Sequence, residues 1–400
     1  MYWHWRKAVP WMNKWEMVRL GDVIIFDKQN VLPENISSEH FYIGLEDIEK
    51  ETGNLATSLR LAIDCDIKSN KFLFNNDHIL YGKLRPNLNK VASPEFIGVC
   101  STDIYPLLPR KNISVKGYIC AILKSKRFVY YASSKVTGIN LPRVNEKTIS
   151  DYIIPLPPLP IQQKIADILD RANALIEKRK AQIEKLDLLV KSQFIEMFGD
   201  PVTNPMGWEV MRLEQIADSR LGKMLDSKKQ TGNNSYPYLA NFNVQWFRFD
   251  LNRLGKMDFN EADRVEFALE YGDLLICEGG EVGRTAIWKG EIKDCYFQKA
   301  LHRARCRKDI CTPEFLAWAL YYKAKTANFD GLVTSATIAH LTGEKLKRLS
   351  VQLPPLALQT QFAAFVERVE AQKAKMKQGL ELMELEYKSL MQKCFNGELS

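Results

Sequence analysis

No Cys-x-x-Cys pair occurs anywhere in the chain. The 8 cysteines, Cys65, Cys100, Cys120, Cys277, Cys295, Cys306, Cys311 and Cys394, stand singly. That scatter excludes the common zinc-module and dithiol spacings and fits reduced cytoplasmic thiols better than a disulfide framework. No run approaches the roughly 18 apolar residues that a membrane span requires. The first residues carry Trp3, Trp5, Trp11 and Trp15 among Arg6, Lys7 and Lys14, without the apolar stretch of a secretory signal. Neither export nor membrane insertion is expected. A G-x-x-x-x-G-K-[ST] phosphate loop is also missing, which argues against a nucleotide motor. So is the Asn-Pro-Pro-aromatic tetrapeptide of amino-methyltransferases, because Asn204-Pro205 runs into Met206 and both Pro-Pro pairs are flanked by Leu. The five histidines, His4, His40, His78, His302 and His340, lack metal-ligand spacing. Asp77, Glu278 and Glu281 have no nuclease motif around them, and the glycines of 279–283 read as a strand turn rather than a phosphate cradle. No catalytic residue, metal or cofactor is expected on this chain.

What is present is a globular balance, 46% hydrophobic and 26% charged over 400 residues, enough for two or three domains. The chain is also written twice. "YIIPLPPLPIQQ" at 152–163 returns as "LSVQLPPLALQT" at 349–360, placing Pro157 on Pro354 at a shift of 197 residues, and Arg110-Lys111 falls on Arg307-Lys308 at the same shift. "WEMVRLGDVI" from Trp15 returns as "WEVMRLEQIA" from Trp208 at a shift of 193, so small insertions separate the anchors. Each copy opens on Trp-Glu and closes on Leu-Pro-Pro-Leu. Between those anchors lie short strand-like runs broken by turn residues, such as "DHILYGKLRPN" at 77–87 and "GDLLICEGGEVGRTAIW" at 272–288.

After each Leu-Pro-Pro-Leu the hydrophobic period changes to that of a helix. In the first copy Ile161, Ile165, Ile168, Ala172 and Leu175 form a stripe, which resumes after a shift at Ile183, Leu186, Val190, Phe194 and Met197. The second copy uses Leu358, Phe362, Phe365, Val369, Gln372 and Met376, then Leu380, Met383, Tyr387, Leu390 and Cys394. Such stripes with charged flanks are coiled-coil seams. About 38 residues at ~1.5 Å each give roughly 57 Å, more than a small domain covers. Two matched seams are therefore expected to pair antiparallel. The fold class is α/β of the α+β kind: two strand-rich bodies alternating with two long helices, related by a pseudo-two-fold internal repeat. The boundaries fall at 1–160, 161–198, 199–357 and 358–400.

The net charge of +8 is unevenly distributed. Both helices are nearly neutral. The segment 83–143 holds eleven basic residues (Lys83, Arg85, Lys90, Arg110, Lys111, Lys116, Lys124, Lys126, Arg127, Lys135, Arg143) against Glu95 and Asp103. In the second body, 284–308 holds eight (Arg284, Lys289, Lys293, Lys299, Arg303, Arg305, Arg307, Lys308) against Glu291 and Asp294. Solvated surface explains single cations; repeated clusters at matching places point to a polyanion. Asn87, Asn89 and Asn140 near the first cluster, and Gln298, His302 and Arg303 near the second, are residue types able to read base edges. The candidate DNA contacts are Lys83, Arg85, Asn87, Asn89, Thr137, Asn140 and Arg143 in the first body. In the second they are Arg284, Gln298, Arg303, Thr334, Ser335, Thr337 and His340.

Taken in order, "WEMVRLGDV" and its copy, "ILYGKLRPNLNKV" at 79–91, "GVCSTDIYPLLP" at 98–109, "YGDLLICEGGEVGRTAIW" at 271–288 and both Leu-Pro-Pro-Leu helix starts resemble the specificity subunit of type I restriction-modification enzymes over essentially the whole length. Family members usually carry Glu-Gln after Pro-Pro-Leu-x, where this chain has Ile161-Gln162-Gln163 and Leu358-Gln359-Thr360. The resemblance implies a non-catalytic, sequence-specific reader of double-stranded DNA. Each body would be a target-recognition domain for one half of an asymmetric bipartite site, with the antiparallel coils as a ruler for the unread spacer. It also implies two methylation subunits, which bring S-adenosylmethionine and methylate adenine N6, and restriction subunits that translocate DNA, all on partner chains. Two other classes compete with this reading: a nuclease or methyltransferase with a cryptic site, and a coiled-coil scaffold that binds nucleic acid without sequence preference.

Overall fold

The computed structural model describes residues 15–138, 140–226, 230–326, 340–396 and 398. The chain forms two compact units. One runs up to Lys180 and takes in the chain from Gln378 onward, and the other is Ala181–Lys377. Both unit boundaries fall inside long helices, Leu159–Phe198 and Leu356–Phe395, of 40 residues each. Each begins two residues earlier than its stripe suggests. Pro160 sits in the first turn, where a missing N–H leaves no helical bond unmade. Among the described residues no helix is long and apolar enough to cross a membrane.

In the first unit the repeat's two anchors are hydrogen-bonded to each other: strand Glu16–Arg19 pairs antiparallel with Ile153–Leu156, Val18 opposite Ile154. A four-stranded antiparallel sheet follows in the order Ile24–Phe26, Ile104–Pro109, Ile79–Gly82, Val91–Ala92. Its central strands are buried on both faces, which is why they read as unbroken apolar runs. Ile79 and Tyr81 meet Tyr118, Ile119 and Leu123 of helix Lys116–Lys124. Leu80, between them, faces Ile43, Phe74 and Cys100 of a second, five-stranded sheet. In that sheet Phe41–Ile43 runs parallel to Gly98–Cys100.

The second unit repeats the plan. Glu209–Arg212 pairs with Ser350–Leu353, and the sheet order is Ala217–Leu221, Leu301–Cys306, Leu274–Cys277, Thr285–Ile287. Leu274 and Ile276 pack with Leu316 and Leu320 of helix Pro313–Lys325, while Leu275 and Cys277 face Phe297 and Met257 of the second layer. That layer is smaller, a three-stranded sheet in which Ser235–Leu239 runs parallel to Tyr296–Phe297, next to the hairpin Val244–Gln245/Arg248–Phe249.

Body and long helix are joined by one buried amide in each unit. Gln162 accepts from the Val115 N–H at 2.9 Å and donates to the carbonyls of Ile113 at 3.0 Å and Pro157 at 2.8 Å. Gln359 accepts from the Thr312 N–H at 2.9 Å and donates to Ile310 at 3.1 Å and Pro354 at 2.8 Å. All four positions correspond at the shift of 197 read from the sequence. Both glutamines are at most 1% exposed.

Within each unit the two long helices run antiparallel. In the first, Ile165 and Leu169 share a core with Tyr387, Leu390 and Cys394, and Lys180 lies 3.8 Å from Glu384. In the second, Phe194 stacks edge-on against Phe362 at 5.5 Å, Val190 and Val369 join the same core, and Lys373 pairs with Asp187. The seam differs in detail from the stripe. Leu169 and Ile176 are buried, whereas Ile168 is only half-buried and Leu175 is 56% exposed. Gln372 is exposed too, and Lys373 takes its place. Adjacent apolar pairs at 168–169 and 175–176 leave steps of three and four equally plausible in a sequence; packing selects the second member of each. With those residues the seam needs no shift: Arg179 continues it, its guanidinium lying against Gly379, where a Cβ would come within 2.9 Å of it.

Replacing Gln162 with Ala should cost about 2–4 kcal/mol in denaturant unfolding, because three backbone groups lose their partner. Gln163→Ala, on the exposed side of the same turn, should stay within about 0.5 kcal/mol of wild type. Along the seam, Val369→Lys should destabilise by about 2–4 kcal/mol and Leu175→Lys by no more than about 0.5, measured in the same way.

Candidate nucleic-acid interface

The central strand of the first unit ends at Gly82 and opens into the loop Lys83–Asn89, which is stitched to the segment before helix Glu146–Ser150. Lys83 N–H donates to Asp103 O at 3.0 Å, Val144 N–H to Lys83 O at 3.0 Å, and Arg85 N–H to Pro142 O at 2.8 Å. Thr137 and Arg143 exchange backbone hydrogen bonds at 2.9 Å, turning 137–143 into a closed loop beside the first. The two loops thus form one apex at the end of the sheet. Lys83, Arg85, Asn87, Thr137, Asn140 and Arg143 come together there, with Arg85, Asn87, Thr137 and Asn140 exposed. Arg143 is drawn back by Asp103, with Nε 3.1 Å from Oδ1, and this partner raises its pKa. Lys83 lies 4.0 Å from the same carboxylate and 5.1 Å over the Tyr105 ring. Asn89 does not join them. It is buried, and its amide donates to Lys124 O at 3.1 Å and to Glu51 at 3.3 Å, pinning the loop from behind.

The second unit builds its apex with two of the same backbone bonds. Glu278 N–H donates to Ala300 O at 3.1 Å and Leu341 N–H to Glu278 O at 2.8 Å. Gln298 stands in the adjoining turn, its Oε1 accepting from Ala300 N–H at 3.2 Å, and His340 is exposed beside it. Arg284 and Arg303 turn inward instead. Arg284 donates to Asn241 O at 2.9 Å and faces Glu281 at 3.6 Å. Arg303 lies along the sheet, donating to Ala268 O at 2.6 Å and Glu266 O at 3.2 Å; burial, then the neighbouring Arg305, lowers its pKa. Thr334, Ser335 and Thr337 lie outside the described residues.

Free positive charge is thinner than the sequence count. In the first cluster Lys90, Lys116 and Lys124 reach backbone carbonyls of Leu45, Asn76 with Pro94, and Thr52, and burial lowers the pKa of Lys90 and Lys116. In the second, Arg305 grips Asp273 at 2.7 Å and Arg307 lies 3.4 Å from Asp218. Lys289, Lys293, Lys299 and Lys308 remain exposed. Sequence reasoning also passed over a polar-aromatic node beside the second apex. Glu281 accepts from Trp246 Nε1 at 2.7 Å and from Lys325 Nζ at 2.8 Å, and Trp246 packs edge-on to Tyr321 at 5.1 Å. Its three residues lie far apart in the chain, so no local motif announces it.

A strand-rich body carrying an exposed polar apex, built twice on long paired helices, defines a duplicated recognition module. A family model described as the type I restriction modification DNA specificity domain matches residues 12–185 and again 205–385, and the chain belongs to that family. It is similar to the specificity subunit of the type I restriction enzyme EcoDI of Escherichia coli, 26% identical over 171 residues, which are 43% of this chain and 37% of that subunit. To the MjaVIII specificity subunit of Methanocaldococcus jannaschii it is 22% identical over 385 residues, 89% of this chain and 86% of that one. The chain thus spans little more than a third of the first relative and most of the second. A chain solved in work on complex assembly and conformational transition of the type I R-M system shares the fold, with a TM-score of 0.62 at 20% identity over 96% of this chain and 98% of that one.

Hydrogen bonds from Lys325, then from Trp246, hold the Glu281 carboxyl below its ordinary range. A lowered pKa means that the node is intact above the ordinary Glu value, about 4.3, and is lost only as pH falls through the lower folded value. The difference in tryptophan emission between wild type and Trp246→Phe should therefore hold constant down to about pH 4.3 and change below it. A change centred at or above that pH would show that the carboxyl is not so held.

Proposed function

We propose that this chain is the specificity subunit of a type I restriction-modification system, reading double-stranded DNA at an asymmetric bipartite site with one apex per half-site. The observation that carries the reading is the apex itself, raised at the end of the corresponding sheet in each unit by two corresponding backbone hydrogen bonds, with exposed side chains that differ between the copies. A repeated frame with unlike tips suits two half-sites of unlike sequence. Lys83, Arg85, Asn87, Thr137, Asn140 and Arg143 are the proposed contacts of the first unit, and Gln298 and His340 those of the second. Thr334, Ser335 and Thr337 are retained as proposed contacts from their sequence position. Asn89, Arg284 and Arg303 are assigned to holding the domain, because each is bound inside it.

In this reading residues 1–160 and 199–357 recognise DNA, and 161–198 with 358–400 set the unread spacer. Helices of about 60 Å are long against the roughly 34 Å of one DNA turn, which supports a ruler. The chain does no chemistry itself. Two methylation subunits dock on it, bring S-adenosylmethionine and methylate adenine N6, and restriction subunits complete the assembly in the cytoplasm.

Co-expression with the host's methylation subunit, followed by single-molecule mapping of methylated adenines, tests this. The expected result is a split motif with a fixed gap, present only when both chains are. Methylation by this chain alone would overturn the non-catalytic role. Equal binding to all sequences, with a steep salt dependence, would point to a scaffold instead.

A further inference from the structure

We infer that Arg85 reads a guanine in the half-site taken by the first unit, and that the second unit, which carries Gly280 at the same corner, reads its half-site by different chemistry. The inference rests on the DNA-reading role proposed above and deepens it.

Backbone bonds fix which positions correspond. Lys83 matches Glu278, since each donates its N–H across the sheet end, to Asp103 O at 3.0 Å and Ala300 O at 3.1 Å, and accepts from Val144 or Leu341. Lys90 matches Arg284, since its carbonyl accepts from Gly82 at 2.9 Å as that of Arg284 does from Cys277 at 2.8 Å. Between these pins both loops turn through left-handed backbone twice, at Arg85 (φ 52°) and Asn89 (φ 50°) in one unit and at Gly280 (φ 75°) and Gly283 (φ 79°) in the other. Glycine takes that conformation without penalty. Arginine does not, because its Cβ crowds the backbone there. A long cation kept where the sister loop uses glycine marks a side chain needed in that direction.

The surroundings aim it. The Arg85 N–H is tied to Pro142 O at 2.8 Å, its carbonyl accepts from Leu88 N–H at 2.9 Å, and Pro86 stiffens the next step. Its guanidinium is exposed and meets no partner among the described residues, whereas Asp103 engages Arg143 and faces Lys83 in the same apex. A phosphate can be met from many backbone positions, so a strained and rigid one brings nothing extra. A base edge lies in one direction only. In the major groove guanine alone offers two adjacent acceptors, O6 and N7, spaced for a planar fork. The sister loop carries the reverse charge, with Glu278 at its start, Glu281 held by Lys325 and Trp246, and no cation before Arg284.

The test uses the full chain as wild type, Arg85→Gly and Arg85→Lys in selections from degenerate duplex DNA. Arg85→Gly suits the left-handed corner, so its melting temperature should be no lower than that of wild type. Wild type should select a split motif with one guanine in one half, preferred over other bases by about tenfold to hundredfold. Arg85→Gly should keep every other position and open that one to all four bases, and Arg85→Lys should retain a weakened preference. Substituting 7-deazaguanine there should weaken wild type and leave Arg85→Gly unaffected. An unchanged motif in Arg85→Gly would overturn the inference, as would a uniform loss over all sequences with a shallower salt slope, the mark of a phosphate contact. If wild type selected no split motif, the DNA-reading role itself would fail and this inference with it.

Discussion

Each unit depends on a single buried amide. Gln162 and Gln359 tie the first turn of the long helix both to the carbonyl that closes the repeat's end ladder, five residues before, and to the loop that leads into the body's helix, 47 to 49 residues away. An amide can accept once and donate twice here, which a carboxylate cannot do. Buried backbone groups need partners, so the residue type is dictated by the three orphan groups that it meets. Because Leu-Pro-Pro-Leu ends the ladder and starts the helix within a few residues, the amide ties the two where one runs into the other.

The body hung on that junction is a sheet covered on both faces, by a helix on one side and a second sheet on the other. Such layering leaves the edges and ends of the central strands as the places where the chain can carry exposed polar residues without exposing core. The apex loops sit at one of these ends. Their backbones are pinned at both sides, so side chains can change there while the path of the loop is kept. This explains how two copies can share a frame and differ in net charge at the tip: lysine and arginine in one, glutamates among glycines in the other.

Much of this architecture was legible in the sequence. The repeat, the Leu-Pro-Pro-Leu helix starts and both seams follow from periodicity, which the structure obeys because it arises from burying one face of each helix. The seam slipped by one residue at Ile168 and Leu175, where two apolar neighbours compete and only the partner helix decides between them. The apex was legible in part. Charged and amide residues near 83–89 and 137–143 marked it, yet Asn89, Arg284 and Arg303 turn to carbonyls inside the domain, since a polar side chain looks alike in sequence whether it faces solvent or a buried carbonyl.

By itself the sequence determined the duplication, the alternation of strand-rich bodies with long helices, and the absence of several catalytic and cofactor motifs, since each is a matter of residue type at fixed spacing. Only the tertiary structure decided which cations are engaged and which are open. Lys83 and Arg143 both face Asp103 at a sheet end, Lys124 turns to a carbonyl 72 residues away, and Arg85 is left with its guanidinium outward. Charge counts are local sums, whereas pairing depends on which segments the fold brings within a few ångströms, and that distance is not written in the chain.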